Sequence, residues 1–301
     1  MTLPDKIAPM LLTSSEPFDD LDYIYEVKWD GWRCLAFFDD GETRLQSRSL
    51  RNLNATFPDL LEAIGGNVDD GIVLDGEVVT FFNGKPDFFR LQRRTLSRPT
   101  PRLLAEVSAV FIVFDMLYFN GESIMTKPLE ERRELLKNNV HWTETLQFSQ
   151  SHDGIGGCTF FDAVNNMGLE GIVAKKKSSL YYPSKRSPYW VKSKTLRRSI
   201  FNICGYFASK GKVTLALANQ IDDDTWGFWG FVSSGITGRI AEDLKKMLLP
   251  LHMDHPPQFA WLVSTSEYIQ WVHPEIKCKV EYLEITPGLR LRHPVLVGLE
   301  N

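Results

Sequence analysis

The run Glu26-Val27-Lys28-Trp29-Asp30-Gly31-Trp32-Arg33 is the densest cluster of reactive side chains in the chain. Alternation along a strand aims Glu26, Lys28 and Asp30 to one side, and Gly31 then allows a turn that returns Arg33 toward the same place. A lysine so placed is a candidate nucleophile once its charge is suppressed by neighbouring cations or burial. In isolation, E-x-K-x-D describes a solvated charged edge strand equally well.

Three further stretches supply what such a lysine needs. Leu74-Asp75-Gly76-Glu77-Val78-Val79 puts a carboxylate inside an apolar strand, where it requires a partner or a ligand. Leu169-Glu170-Gly171-Ile172-Val173-Ala174-Lys175 repeats the device, with Glu170 and Lys175 flanking apolar residues. Two acids on separate core strands suit a ribose hydroxyl and a Mg²⁺ ion, which favours carboxylate and phosphate oxygens; either alone also reads as a buried ion-pair member. In Trp190-Val191-Lys192-Ser193-Lys194, period two aims both lysines at one face and hence at an anion. From Lys175 to Arg198 there are basic residues and no acidic one, interleaved with Tyr181, Tyr182, Tyr189 and Trp190. Such a stripe suits polyphosphate or a nucleic-acid backbone, and a solvated basic face is the alternative.

These stretches must be positioned by alternating strands and helices. Ile24 to Trp29, Arg33 to Phe38 and Thr43 to Ser47 read as an antiparallel meander, with Asp39-Asp40-Gly41 as a hairpin turn. Gly71 to Phe82 and Ala109 to Phe119 are β-rich, whereas Leu129 to Asn138 and Phe160 to Met167 have helical apolar spacing. Gly168 caps the latter helix. After Ser199, short strands at Ile200 to Phe207, Val213 to Ala218, Trp226 to Val232 and Lys277 to Ile285, with a helix near Ile240 to Leu249, suit a small barrel of the OB kind.

The 301 residues fit two domains, expected at 1–199 and 200–301. A formal charge of −4 excludes a bulk polycation but not a local basic groove. No apolar run reaches the ~20 residues of a membrane helix, and no signal peptide is apparent, so a cytoplasmic protein is expected. Cys34, Cys158, Cys204 and Cys278 are scattered without a C-x-x-C pair and read as reduced thiols. His252 and His255 lack a third ligand, Gly154 to Gly157 lacks the lysine of a P-loop, and Asp222-Asp223-Asp224 reads as a hairpin tip.

Taken in order, the four stretches resemble the motifs of the covalent nucleotidyltransferase superfamily, which contains ATP-dependent DNA ligases and capping enzymes. Lys28 to Arg33 matches K-x-D-G-x-R at every fixed position, Asp75-Gly76-Glu77 resembles the third motif, and Phe111 to Gly121 the adjoining segment. Glu170 to Lys175 and Trp190 to Lys194 resemble the fourth and fifth. The resemblance spans nearly the whole chain. It is nearest to the ligase domain of the bacterial end-joining enzymes called DNA ligase D, through E-G-I-V-A-K-K, Arg186-Ser187-Pro188-Tyr189-Trp190 and the ending Leu291 to Leu299. Where many relatives continue the last motif with a basic residue, Glu300 and Asn301 stand here.

The resemblance implies an α+β chain: an ATP-grasp-like adenylation domain with antiparallel sheets, followed by a C-terminal OB-fold β-barrel. It implies Lys28 as the nucleophile toward ATP, with Lys192 and Lys194 on the phosphates. Glu26 and Phe114 would frame the adenine, Arg33 and Glu77 the ribose, Glu77 and Glu170 a Mg²⁺ or Mn²⁺ ion, and Arg292 or Arg290 the pyrophosphate. An aromatic in an apolar strand is otherwise an ordinary core residue, so the role of Phe114 rests on the resemblance. Arg48 and Lys175 would meet the nucleic acid. The implied substrate is nicked double-stranded DNA in end-joining repair, with Ku and a separate polymerase as partners, no membrane, and a nucleoid-associated place in the bacterial cytoplasm. An RNA ligase, a GTP-dependent capping guanylyltransferase and an inactive OB-type binding module are the competing readings.

Overall fold

The computed structural model describes residues 3–96, 99–209, 212–261, 263, 268–286 and 288–300. The chain divides into two compact units, Met1–Thr195 and Leu196–Asn301.

The first unit is built from two large sheets and a two-stranded ribbon of Phe81–Phe82 with Lys85–Pro86. One has the strand order Leu11–Ser14, Arg186–Lys194, Gly171–Lys176, Tyr23–Val27 and Ser151–His152. The other runs Leu146–Phe148, Val110–Phe119, Ile72–Val79, Trp32–Asp39 and Glu42–Ser47, with Glu122–Ser123 added beside Val110–Phe119. Period-two alternation decides what each strand buries. In Trp32–Asp39, Leu35 and Phe37 join Ile24, Phe114 and Trp190 in a core shared by both sheets. Cys34, Ala36 and Phe38 face the opposite way, onto Leu60 and Ile64 of the Pro58–Gly65 helix and Leu91 of the Phe88–Leu96 helix. The outer face of the first sheet, through Tyr25, Ile172 and Ala174, packs on Phe160 and Val164 of the Gly157–Asn166 helix. The central strands are covered on both faces, which is why their sequences read as nearly continuous apolar runs.

The expected meander is not formed. Tyr23–Val27 belongs to one sheet, while Trp32–Asp39 and Glu42–Ser47 form a hairpin in the other. The link between them passes so close to Val78 that a Cβ on Gly31 would lie 2.2 Å from its carbonyl oxygen. Only glycine fits that approach, and it sends the chain across to the second sheet rather than back along the first. The helices at Leu129–Asn138 and Gly157–Asn166 agree with the sequence reading, and Gly168 has φ +72° as its cap role requires. The helices Pro58–Gly65, Phe88–Leu96 and Pro101–Glu106 were not expected from it.

The second unit is an antiparallel sheet with the Gly238–Leu248 helix packed against it through Leu244 and Leu248. The expected closed barrel is absent among the described residues. The long Arg197–Ser209 strand changes partner along its length, pairing with Lys277–Tyr282 through Asn202 and with Gln270–Val272 after a register shift between Ile203 and Gly205. The last strand, Val295–Glu300, returns only through one bridge from Val295 to Ser234, so the sheet curls without a closing ladder.

The four cysteines are free thiols, three of them buried. No helix among the described residues is long and apolar enough to cross a membrane.

Candidate active site

Lys28 follows directly on the Tyr23–Val27 strand and is fixed by its backbone N–H donating to Gly171 O at 2.8 Å. The strand ends at Val27, so the alternation expected through Asp30 stops short of it. The Lys28 ammonium donates to Glu170 Oε2 at 2.5 Å, and Lys194 Nζ lies 3.2 Å from the other oxygen of that carboxylate. Glu170 is held in place by Gly171, whose φ of +137° and close approach to Ser193 O admit no side chain.

A cavity of about 660 Å³ opens beside this cluster and is lined by Lys28, Arg33, Arg48, Glu77, Lys192 and Lys194, together with Arg186 and the Pro9 to Leu12 segment. Lys192 and Lys194 reach it from one face of the Arg186–Lys194 strand, as period two requires. Burial pushes the Lys192 ammonium below its ordinary pKa, and Lys194 and Lys28 push it further. Burial raises the Glu77 carboxyl to about 7, Glu170 and Asp75 adding to the rise while Arg33 and Lys28 oppose it. The site is a concentrated field in which charges of both signs lack their full hydration.

A smaller cavity of about 60 Å³ adjoins, sharing Lys28, Arg33 and Glu77 and adding Glu26, Phe114, Lys175 and Trp190. Its polar groups are already engaged. Glu26 accepts from Arg133 Nη1 at 2.7 Å, Ser149 Oγ at 2.9 Å and Lys175 Nζ at 3.0 Å. The Lys175 ammonium also lies 4.0 Å from the centroid of the Phe114 ring, and the Arg33 guanidinium 4.4 Å from it. Two cations thus occupy positions against the ring expected to stack on a base. Burial lowers Lys175 to about 8 against the pull of Glu26.

Lys175 therefore does not face outward as a nucleic-acid contact. Its side chain is only 3% exposed and belongs to the smaller cavity. Arg33 and Glu77 share both cavities, but the guanidinium is clamped by Asp75, through Nε at 2.6 Å and Nη2 at 2.7 Å. Arg48 is exposed on the rim of the larger cavity. Arg292 belongs to the second unit, where it donates to Glu284 at 2.7 Å, and Arg290 there lies over the Phe228 ring.

The sequence matches the ATP dependent DNA ligase domain family over residues 9–194 and the ATP dependent DNA ligase C terminal region over residues 208–301. The chain belongs to the ATP-dependent DNA ligases. It is 32% identical over 303 residues to the multifunctional non-homologous end joining DNA repair protein LigD of Mycobacterium tuberculosis, covering 98% of this chain and 38% of that protein. The SPbeta prophage-derived DNA ligase-like protein LigB of Bacillus subtilis is 34% identical over 228 residues, 75% of this chain and 80% of its own length. The crystal structure of the ligase domain of M. tuberculosis LigD aligns with a TM-score of 0.59 at 31% identity, covering 99% of this chain and 96% of that one. The chain thus spans well under half of the mycobacterial protein that it matches.

In this ligase no group of three or more His, Cys, Asp or Glu residues that could hold a metal occurs among the described residues. Mg²⁺ needs no such group, since one or two carboxylates with substrate phosphates and waters complete its shell. Glu77 and Glu170 suit that mode chemically: burial raises the Glu77 carboxyl, Glu170 adds to the rise, and a bound cation would offset both.

Several residues that shape the ligase site lack a motif. Arg132 and Arg133 are buried in the Leu129–Asn138 helix, where Arg132 forks onto Asp115 at 2.9 and 2.7 Å and Arg133 donates through Nη1 to Glu26 and through Nη2 to Ser149 O. Their sequence signal was spacing: they stand three and four residues after Leu129 and before Leu136, on the apolar face. Tyr181, which donates to Asp75 at 2.7 Å, had no such signal.

Proposed function

We propose that this ligase joins breaks in duplex DNA through an AMP attached to Lys28. The supporting observation is the convergence of Lys28 with Glu170 and Lys194 at one mouth of a cavity that also holds Glu77 and Lys192. Residues from four separate stretches meet there, and together they can receive a triphosphate beside an amine.

In the first step the Lys28 amine attacks the α-phosphorus of ATP and pyrophosphate leaves. A lysine of ordinary pKa near ~10.4 is almost wholly protonated at neutral pH, so the amine must lose a proton and leave Glu170. Lys192 and Lys194 remain nearby, where they stabilise charge on the phosphates in flight. Held between Glu77, Glu170 and the phosphates, Mg²⁺ or Mn²⁺ would supply further charge neutralisation. Arg33, held by Asp75, and Glu77 orient the ribose, and Phe114 meets the base once the Lys175 ammonium moves off its ring. AMP then passes to a 5′-phosphate at a nick, with Arg48 on that phosphate, and the 3′-hydroxyl attacks and releases AMP. Arg292 is assigned to the pyrophosphate.

A role in end joining is supported by likeness to LigD; Ku and a separate polymerase as partners, and a bacterial cytoplasm, are proposed with it. Mass spectrometry after exposure to ATP and Mg²⁺ tests the reading: one added AMP mapped to Lys28, lost on addition of nicked duplex DNA and absent from Lys28→Ala. Labelling by GTP and not ATP supports a capping enzyme, transfer only to nicked RNA an RNA ligase, and binding of nicked DNA without any adduct an inactive module.

A further inference from the structure

Tyr181 lies between the Gly171–Lys176 and Arg186–Lys194 strands, within the basic and aromatic stripe but outside the four motif stretches, and is 3% exposed. Its hydroxyl donates to Asp75 Oδ2 at 2.7 Å and accepts the Met10 N–H at 3.0 Å. Asp75 is fully buried, and the same Oδ2 accepts from Arg33 Nη2 at 2.7 Å while Oδ1 accepts from Arg33 Nε at 2.6 Å. Arg33 in turn lies over Phe114. Met10 belongs to the Pro9 to Leu12 segment that walls the larger cavity. One hydroxyl therefore ties two parts of the nucleotide cavity together, the guanidinium on one side and the amino-terminal segment on the other.

We propose that Tyr181 is a positioning residue for nucleotide binding, setting the Arg33 guanidinium through Asp75 while it holds the Pro9 to Leu12 wall through Met10. A tyrosine suits the task because its hydroxyl gives and takes a hydrogen bond at once, which no apolar ring can do. Burial, reinforced by Asp75, pushes the phenol well above its ordinary pKa, so it remains a donor throughout the working range. Its ring is fixed edge-on to Trp190 at 5.9 Å, and its backbone N–H donates to Met125 O at 2.9 Å, so the hydroxyl has little freedom to follow a misplaced partner. Removing it leaves the Met10 N–H without an acceptor and Asp75 with one donor fewer. The guanidinium fork then loses the group that fixes its carboxylate. The inference rests on the nucleotide reading of this cavity.

The test measures self-adenylation by ATP across a concentration series, with thermal unfolding of each variant alongside. Tyr181→Phe is expected to raise KM for ATP about tenfold with kcat within about twofold of wild type, the size expected for a hydrogen bond to a charged group. Arg33→Lys, which cannot form the fork, raises KM by itself, and adding Tyr181→Phe to it raises KM no further. Asp75→Asn, which keeps the tyrosine but weakens the clamp, gives the same KM rise and serves if Tyr181→Phe does not fold. An unchanged KM in either folded variant overturns the proposal, as does full additivity of Tyr181→Phe with Arg33→Lys, or a lowered unfolding temperature with kinetics as in wild type. A wild-type protein that takes no label from ATP overturns the nucleotide reading and this inference with it, whereas a labelled wild type with an unaltered Tyr181→Phe defeats only the inference.

Discussion

Lys28 and Glu170, 142 positions apart in sequence, meet at 2.5 Å, and the remaining oxygen of that carboxylate is held by Lys194 at 3.2 Å. Lys28 is thus held in an ion pair whose counterion is shared. Under the proposed function, a cation that draws Glu170 toward itself would loosen the hold on Lys28 and so link nucleotide binding to release of the amine through one side chain.

Removing Lys194 tests the shared arrangement. Lys194→Ala is expected to slow adenylation by about 10²–10³-fold, the usual cost of losing one preorganised group that stabilises transition-state charge. Single-turnover labelling with ATP measures it, and an intact rate would mean that Lys194 only neutralises Glu170.

Glu77 makes the activity pH-dependent with a definite sign. Its carboxyl is raised from 4.5 to about 7 by burial, so the carboxylate that the proposed cation would use forms as pH rises through about 7, and adenylation is expected to fall below it. For stability the sign reverses. An acid raised in the folded state favours folding when protonated, so its contribution is full below 4.5 and is gone above about 7. Glu77→Gln should therefore be more stable than wild type by about 1–3 kcal/mol above that range and equal to it near pH 4.5, while losing activity throughout. Urea unfolding at the two pH values checks it.

The Arg132 and Asp115 pair is wholly buried, with a two-point fork and further donation from Arg132 to Lys127 O and Ser179 O. Arg132→Leu leaves the buried Asp115 carboxylate without its cation, with the Met116 N–H still donating to it, and should cost about 3–5 kcal/mol in urea unfolding. Adding Asp115→Leu should recover part of that loss, and strict additivity would refute the account.

Gly31→Ala should fail for a steric reason. The new methyl would sit 2.2 Å from Val78 O, so the crossing between sheets must shift. A loss of about 1–3 kcal/mol is expected, with adenylation reduced although Lys28 is untouched. Unfolding and labelling on the same sample distinguish the two effects.

Much of the site was legible because its residues sit at fixed spacings on or beside strands. Lys192 and Lys194 needed only period two, and Glu170 only its place before Gly171. The buried partners were not legible. Glu26 finds Arg133 107 positions away, and Asp75 finds Tyr181 106 away, so no local pattern announces either pair. The same limit explains the fold errors. Nothing in the spacing of Tyr23–Val27 and Trp32–Asp39 shows that they enter different sheets, since hairpin neighbours and sheet-crossing neighbours have the same alternation. The barrel was overread because the partner change along Arg197–Ser209 depends on strands more than sixty positions downstream. The short helix at Pro58–Gly65 has a proline in its first turn but no side-chain cap, and so little punctuation.

The stretch from Trp29 to Trp32 passes from one sheet to its neighbour, so any shift between the sheets would alter the surroundings of these two indoles. Both ring N–H groups are shielded from solvent and meet no acceptor among the described residues. Their emission, separated from that of the other tryptophans by Trp→Phe variants, offers an intrinsic optical gauge of nucleotide capture with no dye attached near the reacting amine.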